Sequence, residues 1–324
     1  MNTGDLFNKL TAQKFKLNAN KPTIIIGDGG IGTEIMKINS KNKQAPFYYN
    51  LNKPELVASI HQDYLDAGSD IITTNTFSAN QLYLKQDKRS ASLTENQLRD
   101  KITRINKYGA EIAVKARDKF INENPEQSPI LVAGSVGPTG SEEAIFPDQA
   151  NNHKKLVATF QEQIKALAAG GVDLILLETF SYHLELKAGL EALKEFELLA
   201  IINMSFASYN NTNYGTDIDD FTNLISNYPD NKILAAGFNC ITPEPGYQET
   251  INNFINSVNL PLSIYYNAGK PELNLKTGQT IYKSQDDFFT EIKKLLQLNQ
   301  PDTIIIGGCC GTDPETIKKI RKLI

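Results

Sequence analysis

Three cysteines occur in the 324 residues: Cys240, Cys309 and Cys310. They are too few for a disulfide scaffold, and thiols this scarce are better explained by metal ligation or catalysis in a reducing compartment. Cys309 and Cys310 are adjacent in the run GGCCG, whereas Cys240 lies far upstream in GFNC. No zinc-knuckle spacing links them, so they can share a metal only if the fold brings them together. Zinc is normally four-coordinate, and three protein sulfurs without a fourth leave one position for a substrate, which is the pattern of a catalytic site. Two other readings stand beside this one. Cysteine is among the most buried residue types, so any of the three could fill a small core position. Adjacent cysteines could also close a strained vicinal disulfide. Gly307, Gly308 and Gly311 weaken both, because glycine permits close approach of backbone to a ligand and unusual dihedrals.

For the sulfurs to meet, the elements carrying them must converge. Short apolar runs rich in β-branched residues recur along the chain, each followed by a longer stretch with helical spacing, as in parallel βα units. Eight strands are predicted: Thr23–Asp28, Asp70–Phe77, Pro129–Ser135, Val172–Phe180, Leu198–Phe206, Lys232–Cys240, Leu260–Gly269 and Asp302–Cys310. Several are unbroken apolar runs, as strands covered on both faces require. Helices are predicted over Pro54–Ala67, Glu95–Lys119, Lys154–Ala169, Glu185–Lys194, Asp217–Asn227, Gly246–Ser257, Asp286–Leu298 and Pro314–Ile324. Pro54 and Pro314 suit a first helical turn, with Asn52 and either Thr312 or Asp313 as caps. Eight strands alternating with eight helices, without a linker or a break in composition, predict a single-domain α/β fold, the (β/α)8 TIM barrel, over an open doubly wound sheet. Residues 1–22 read as a polar lead-in that caps the barrel bottom, and residues 23–324 as the barrel domain.

In such a barrel the active site forms at the C-terminal ends of the strands. All three cysteines fall there, Cys240 ending the sixth strand and Cys309 and Cys310 the eighth. So do Asp28, Gly29 and Gly30 after the first strand, Glu178 in the fourth and Asn267 in the seventh. The run GDGGIGTE has the look of a dinucleotide-binding loop, but the acidic residue expected about 20 positions later is missing, since residues 50–54 read as a turn. Backbone amides that hold a carboxylate are the favoured reading. Glu178 ends a nearly unbroken apolar strand and is either a solvated, helix-capping carboxylate or a buried charge that needs a partner, for which a substrate ammonium would serve. His61, His153 and His183 fall in helical or loop segments and read as packing or surface residues rather than ligands.

Composition removes several function classes. Hydrophobic residues at 40% and charged residues at 22% are ordinary for a folded globular chain rather than a disordered one. A net charge of −4 with scattered Lys and Arg offers no footprint for a phosphate backbone, so nucleic acid is not expected as a partner. The first residues lack a signal-peptide core, and no run approaches the ~18 apolar residues of a membrane span. A cytoplasmic protein is expected.

Taken together, DGGIGTEI, NLNKPELVASIHQDYLDAGSDIITTNTFSAN, GSVGPTG, LLETF, GFNC, YYNAGKP and GGCCGTDPETI resemble the homocysteine S-methyltransferase family over nearly the whole chain. The pattern is similar to the homocysteine-binding module of cobalamin-dependent methionine synthase and to the S-methylmethionine and betaine homocysteine methyltransferases. The resemblance implies a (β/α)8 barrel with zinc on Cys240, Cys309 and Cys310. It implies that homocysteine is held at its amino-acid end by Asp28, Gly29, Gly30 and Glu178. Asn267, between the cysteine-bearing strands, is a candidate further ligand when no substrate is bound. The implied activity is a methyltransferase that makes methionine from homocysteine, the zinc-bound thiol being the nucleophile.

The methyl donor is a separate question. The chain stops soon after GGCCG, leaving no room for folate, cobalamin or activation domains. A betaine enzyme should grip its quaternary ammonium with aromatic rings, best with Trp, and this chain has none. Phe47, Tyr48 and Tyr49 offer a partial cage, with loop packing as their plainer role. The expected donor is a small sulfonium, S-methylmethionine or S-adenosylmethionine. A separate methylcorrinoid protein and betaine are the alternatives, and a zinc-dependent thiol-binding protein without turnover is the non-enzymatic one.

Overall fold

Runs such as TIII in the first strand and TIIIGG in the last are apolar on both faces, and both faces are buried. The computed structural model describes residues 7–8, 21–38, 44–127, 129–146, 149, 151–206, 210–228, 232–274, 279–283 and 286–324. Its strands are β1 (Thr23–Ile26), β2 (Ile71–Thr73), β3 (Leu131–Val136), β4 (Leu174–Phe180), β5 (Ala200–Met204), β6 (Ile233–Ile241), β7 (Leu262–Tyr266), β8 (Lys270–Asn274), β9 (Gln279–Lys283) and β10 (Thr303–Gly308). Eight of them form one parallel sheet in the order β1-β10-β7-β6-β5-β4-β3-β2. A parallel bridge between Gly27 and Ile71, with the Asp70 N–H donating to the Ile26 carbonyl, brings β1 against β2 and rounds the sheet into a barrel. The predicted TIM-barrel fold is the observed one.

Side chains that alternate along the strands divide the core. Ile25, Ile71, Leu131, Leu174, Ile201 and Ile305 point inward and fill the barrel, while their neighbours Ile24, Ile72, Val132, Ile175, Ile202 and Ile304 pack outward against the helices. Phe7 packs with the inward set, and residues 1–6 and 9–20 of the predicted lead-in lie outside the described residues. No described helix is long and apolar enough to cross a membrane.

The predicted boundaries need four corrections. The second strand is only Ile71–Thr73, because beyond it the polar chain folds onto itself: the Thr76 N–H donates to the Thr74 carbonyl, and Asn75 binds Asn50 and the Pro46 carbonyl. The helix predicted to end at Lys119 runs from Glu95 to Glu123, its start fixed by a capping box between Thr94 and Gln97. Asn52 does not cap the Pro54 helix. It closes a separate short helix, Tyr49–Asn52, and Lys53 takes the cap position. At the other proline, Asp313 is the cap, accepting from the Thr316 N–H at 2.9 Å. The largest departure is an antiparallel hairpin, β8 with β9, inserted after β7 where only a connection was expected.

Candidate metal and substrate site

The ends of β6 and β10 bring the cysteines together. The sulfurs of Cys240, Cys309 and Cys310 all lie within 4.8 Å of one another, and Cys240 Sγ is 3.9 Å from Cys310 Sγ. Sulfurs bound tetrahedrally to zinc at about 2.3 Å are separated by about 3.8 Å, so the cluster has the dimensions of a three-thiolate zinc site. None of the three is in a disulfide. Cys240 gains its place through an irregularity: the register between β6 and β7 shifts at Asn239/Ile241, and Cys240 sits at φ 54°, a left-handed conformation unusual outside glycine. Backbone bonds fix the other two, from the Cys309 N–H to the Tyr266 carbonyl at 2.7 Å and from the Ala268 N–H to the Cys310 carbonyl at 2.9 Å.

Asn267 accepts the Cys310 N–H at 3.1 Å through Oδ1. Tyr282, carried by β9, lays its ring against the backbone at Gly311, where an added Cβ would meet ring atoms at 2.3 and 2.5 Å. Bonds from Cys240 and Cys309 outweigh burial and hold the Cys310 thiol well below its ordinary range. The Cys309 thiol is pushed the other way by its bonds to Cys240 and Cys310 and by burial. Proton sharing within the cluster therefore already favours an anionic sulfur.

The loop after β1 interlocks with the cysteine loop. Thr312 Oγ1 accepts the Gly30 N–H at 3.1 Å and donates to the Cys309 carbonyl at 2.7 Å. A side chain at Gly30 would meet the Cys309 carbonyl oxygen at 2.5 Å, so close approach requires glycine there. Of the two turn amides expected to hold a carboxylate, that of Gly30 is thus engaged by Thr312. Asp28, 1% exposed, accepts the Thr73 N–H at 2.6 Å and the Thr73 hydroxyl.

Glu178 closes the opposite side. Its carboxylate accepts from the Ser135 hydroxyl and, at 3.2 Å, from Asn239 Nδ2. Burial pushes its pKa up to about 7 despite the Ser135 bond, and pushes Asp28 up to about 8 despite the Thr73 bonds, with Glu178 adding repulsion to Asp28. Below them the Tyr265 hydroxyl is buried without a hydrogen-bond partner. Among the described residues, neither the buried Asp28 nor the half-buried Glu178 has an ion-pair partner.

Every residue the sequence placed at the site converges here. The histidines stand apart, as expected: His61 is buried in the Pro54–Asp66 helix, His153 pairs with Glu191, and His183 binds Thr216. Phe47, Tyr48 and Tyr49 are 3%, 4% and 2% exposed and serve as loop packing rather than a cage. Sequence reasoning gave no site role to Thr73, Ser135, Asn239, Thr312 or Tyr282, although Asn239 stood beside Cys240 at a strand end and Thr312 was a candidate cap. The first four carried a weak signal, being polar residues at or near the ends of apolar strands; Tyr282 carried none.

The sequence model of the family described as homocysteine S-methyltransferase matches residues 25–324. The chain belongs to this family. It is thereby a methyltransferase of the homocysteine-directed class. Homocysteine S-methyltransferase 2 of Zea mays is 29% identical over 322 residues, covering 93% of this chain and 89% of that protein. The homocysteine S-methyltransferase of Escherichia coli is 27% identical, covering 93% and 95%, and the selenocysteine methyltransferase of Astragalus bisulcatus is 28% identical, covering 91% of each. In fold, the chain superposes on the metallated form of the Escherichia coli homocysteine methyltransferase MmuM with a TM-score of 0.72 at 24% identity, covering 93% of this chain and 96% of that one.

Proposed function

We propose that this protein is a cytoplasmic, zinc-dependent homocysteine S-methyltransferase that forms methionine with a small sulfonium donor, S-methylmethionine or S-adenosylmethionine. The observation that carries this reading is three cysteine sulfurs within 4.8 Å of one another at the barrel mouth, with the buried Asp28 and the half-buried Glu178 beside them. Cys240, Cys309 and Cys310 would hold the metal. Zinc bound there would keep the substrate thiol deprotonated near neutral pH, where a free thiol with a pKa of about 8.5 is mostly protonated.

The chain's own groups do the rest. Asp28 and Glu178 receive the ammonium of homocysteine and become fully ionised as they do so. Thr73 fixes Asp28, while Ser135 and Asn239 fix Glu178, so the ammonium is met by carboxylates already oriented. The Asp28-Gly29-Gly30 turn presents backbone toward the substrate carboxylate, with Thr312 holding the turn against the cysteine loop. On this reading Asn267 orients Cys310, with its Oδ1 on the Cys310 N–H, and becomes a metal ligand only if that bond breaks.

The packed Phe47, Tyr48 and Tyr49 and the lack of Trp favour a sulfonium over betaine. Methionine formation from homocysteine, assayed with S-methylmethionine, S-adenosylmethionine, betaine and a methylated corrinoid protein alongside metal analysis, tests the proposal. One zinc per chain and product with a sulfonium support it. Product with the corrinoid protein alone overturns the donor, and bound zinc without turnover by any donor makes the protein a thiol-binding one.

A further inference from the structure

Tyr265 and Tyr266 follow one another on β7 and face opposite sides of the sheet. Tyr266 packs outward, with its ring against Phe288, whereas Tyr265 belongs to the inward set on which Cys309 also packs. The residue beside Tyr265 on β6 is Asn239, which binds Glu178, and the one beside it on β10 is Gly307. The Tyr265 ring crosses β10 over that glycine and ends at Gly27, the residue before Asp28. A Cβ at Gly307 would lie 2.2 Å from the ring carbon Cε1, and one at Gly27 would lie 2.2 Å from the hydroxyl oxygen. Neither glycine has a positive φ, so the ring and not the backbone requires them. The absence of two side chains thus lets the hydroxyl reach a place between the two acids' own strands. Tyr265 is 4% exposed there, and among the described residues its hydroxyl has no hydrogen-bond partner. A phenol can both donate and accept, and a buried one without a partner is satisfied when a ligand supplies it.

Resting on the proposed binding of homocysteine, we infer that the Tyr265 hydroxyl oxygen accepts one N–H of the substrate ammonium, alongside the carboxylates of Asp28 and Glu178. A primary ammonium has three N–H groups, and one carboxylate on each side accounts for two of them. The phenol oxygen supplies the third acceptor without adding a third negative charge. A group attached to that nitrogen would meet the phenol instead of an acceptor, so the site takes a free amino acid rather than an N-acylated one or a peptide. Tyr265 is a specificity-determining residue in this scheme, set below the acids and away from the transferred methyl group.

The test compares wild type with Tyr265→Phe. Calorimetric titration of the zinc-loaded proteins reads affinity for homocysteine and for a thiol of the same chain length and carboxylate that lacks the ammonium. Urea unfolding of the unliganded proteins reads stability. The expected result is homocysteine binding weakened about ten-fold in Tyr265→Phe, with the ammonium-free thiol bound equally by both proteins. The urea midpoint of the variant should be no lower than that of wild type, because the deleted hydroxyl had no partner to leave unsatisfied. Equal homocysteine affinity in the two proteins overturns the inference. So does an equal loss for both thiols, which puts the hydroxyl on another part of the substrate, and so does a lowered urea midpoint, which gives the hydroxyl a partner within the fold. Failure of the proposed function shows separately, in wild type alone, as zinc-loaded protein that binds neither thiol.

Discussion

Asn239 holds Thr179 in a conformation that threonine rarely adopts: its Oδ1 accepts the Thr179 N–H and its Nδ2 reaches the Thr179 hydroxyl, each at 2.7 Å, while Thr179 sits at φ 63°. A β-branched residue there is strained by roughly 1–3 kcal/mol, and the strain marks a functional position. The register shift between Leu177 and Phe180 that accompanies it turns Glu178 toward the cluster, and the same Asn239 amide group binds the Glu178 carboxylate. Asn239→Ala should therefore do two things. Chemical denaturation should show a loss of about 2–3 kcal/mol, from buried donors left without partners. The KM for homocysteine should rise about ten-fold with a smaller change in kcat, because Glu178 loses its orientation; an unchanged KM would detach Glu178 from substrate binding.

The raised acids give a pH signature with a definite sign. Asp28 has its pKa pushed from 3.8 to about 8 and Glu178 from 4.5 to about 7, chiefly by burial. Between those limits the folded protein binds more protons than the unfolded chain, so their contribution to stability is complete below pH 4 and is lost as pH rises through about 7 to 8. Asp28→Asn should flatten the decline of metal-free protein stability across this window, as measured by urea midpoints at several pH values. A slope that stays as steep in the variant assigns the decline to other groups.

The barrel was legible because its strands are apolar on both faces and separated by helical spacing, a pattern that survives without knowledge of contacts. The chemistry was legible because barrel topology confines it to strand ends, where Cys240, Cys309, Cys310, Asp28 and Glu178 already stood in the sequence. The supporting residues were not, since a single polar residue such as Ser135 or Thr73 becomes a partner only through cross-strand register. The hairpin escaped for another reason. The stretch between β7 and the Asp286–Leu295 helix mixes Lys, Asn, Thr and Gly and lacks clear alternation. Its β9 strand brings Tyr282 against Gly311, a tertiary contact that no local pattern announces.

Metal loss and fold loss should be separable. The cysteine loop is tied by bonds that involve no sulfur: the Gly308 N–H to the Asp28 carbonyl at 2.9 Å, the Cys309 N–H to the Tyr266 carbonyl, and Thr312 to the Cys309 carbonyl. Cys309→Ala, or exposure of the wild type to a chelator, should remove the metal and abolish methyl transfer while leaving far-UV circular dichroism in place. Unfolding on chelation would instead make the metal structural.

Substrate recognition at Asp28 and Glu178 can be probed from the ligand side. A thiol that keeps the chain length and carboxylate of homocysteine but lacks the ammonium leaves Asp28 and Glu178 without a cationic partner. Its competition constant should be weaker than that of homocysteine by a factor on the order of a hundred. In Glu178→Gln the penalty should shrink, because the variant already lacks one of the charges that sought the cation. An equal penalty in both proteins places the ammonium elsewhere.

The contact between Gly311 and Tyr282 predicts a measurable coupling. Gly311→Ala adds a Cβ at φ +80° and at 2.3 Å from the ring, so the variant bears both backbone strain of about 1–2 kcal/mol and a collision that displaces the Tyr282 ring. Tyr282→Ala removes the ring and with it the collision, but leaves the strain. A double-mutant cycle in urea should accordingly show the two changes to be non-additive by about 1 kcal/mol, the double variant being more stable than the sum of the singles implies. Strict additivity would mean that the ring does not rest on Gly311 in solution, and that the hairpin does not pack on the cysteine loop.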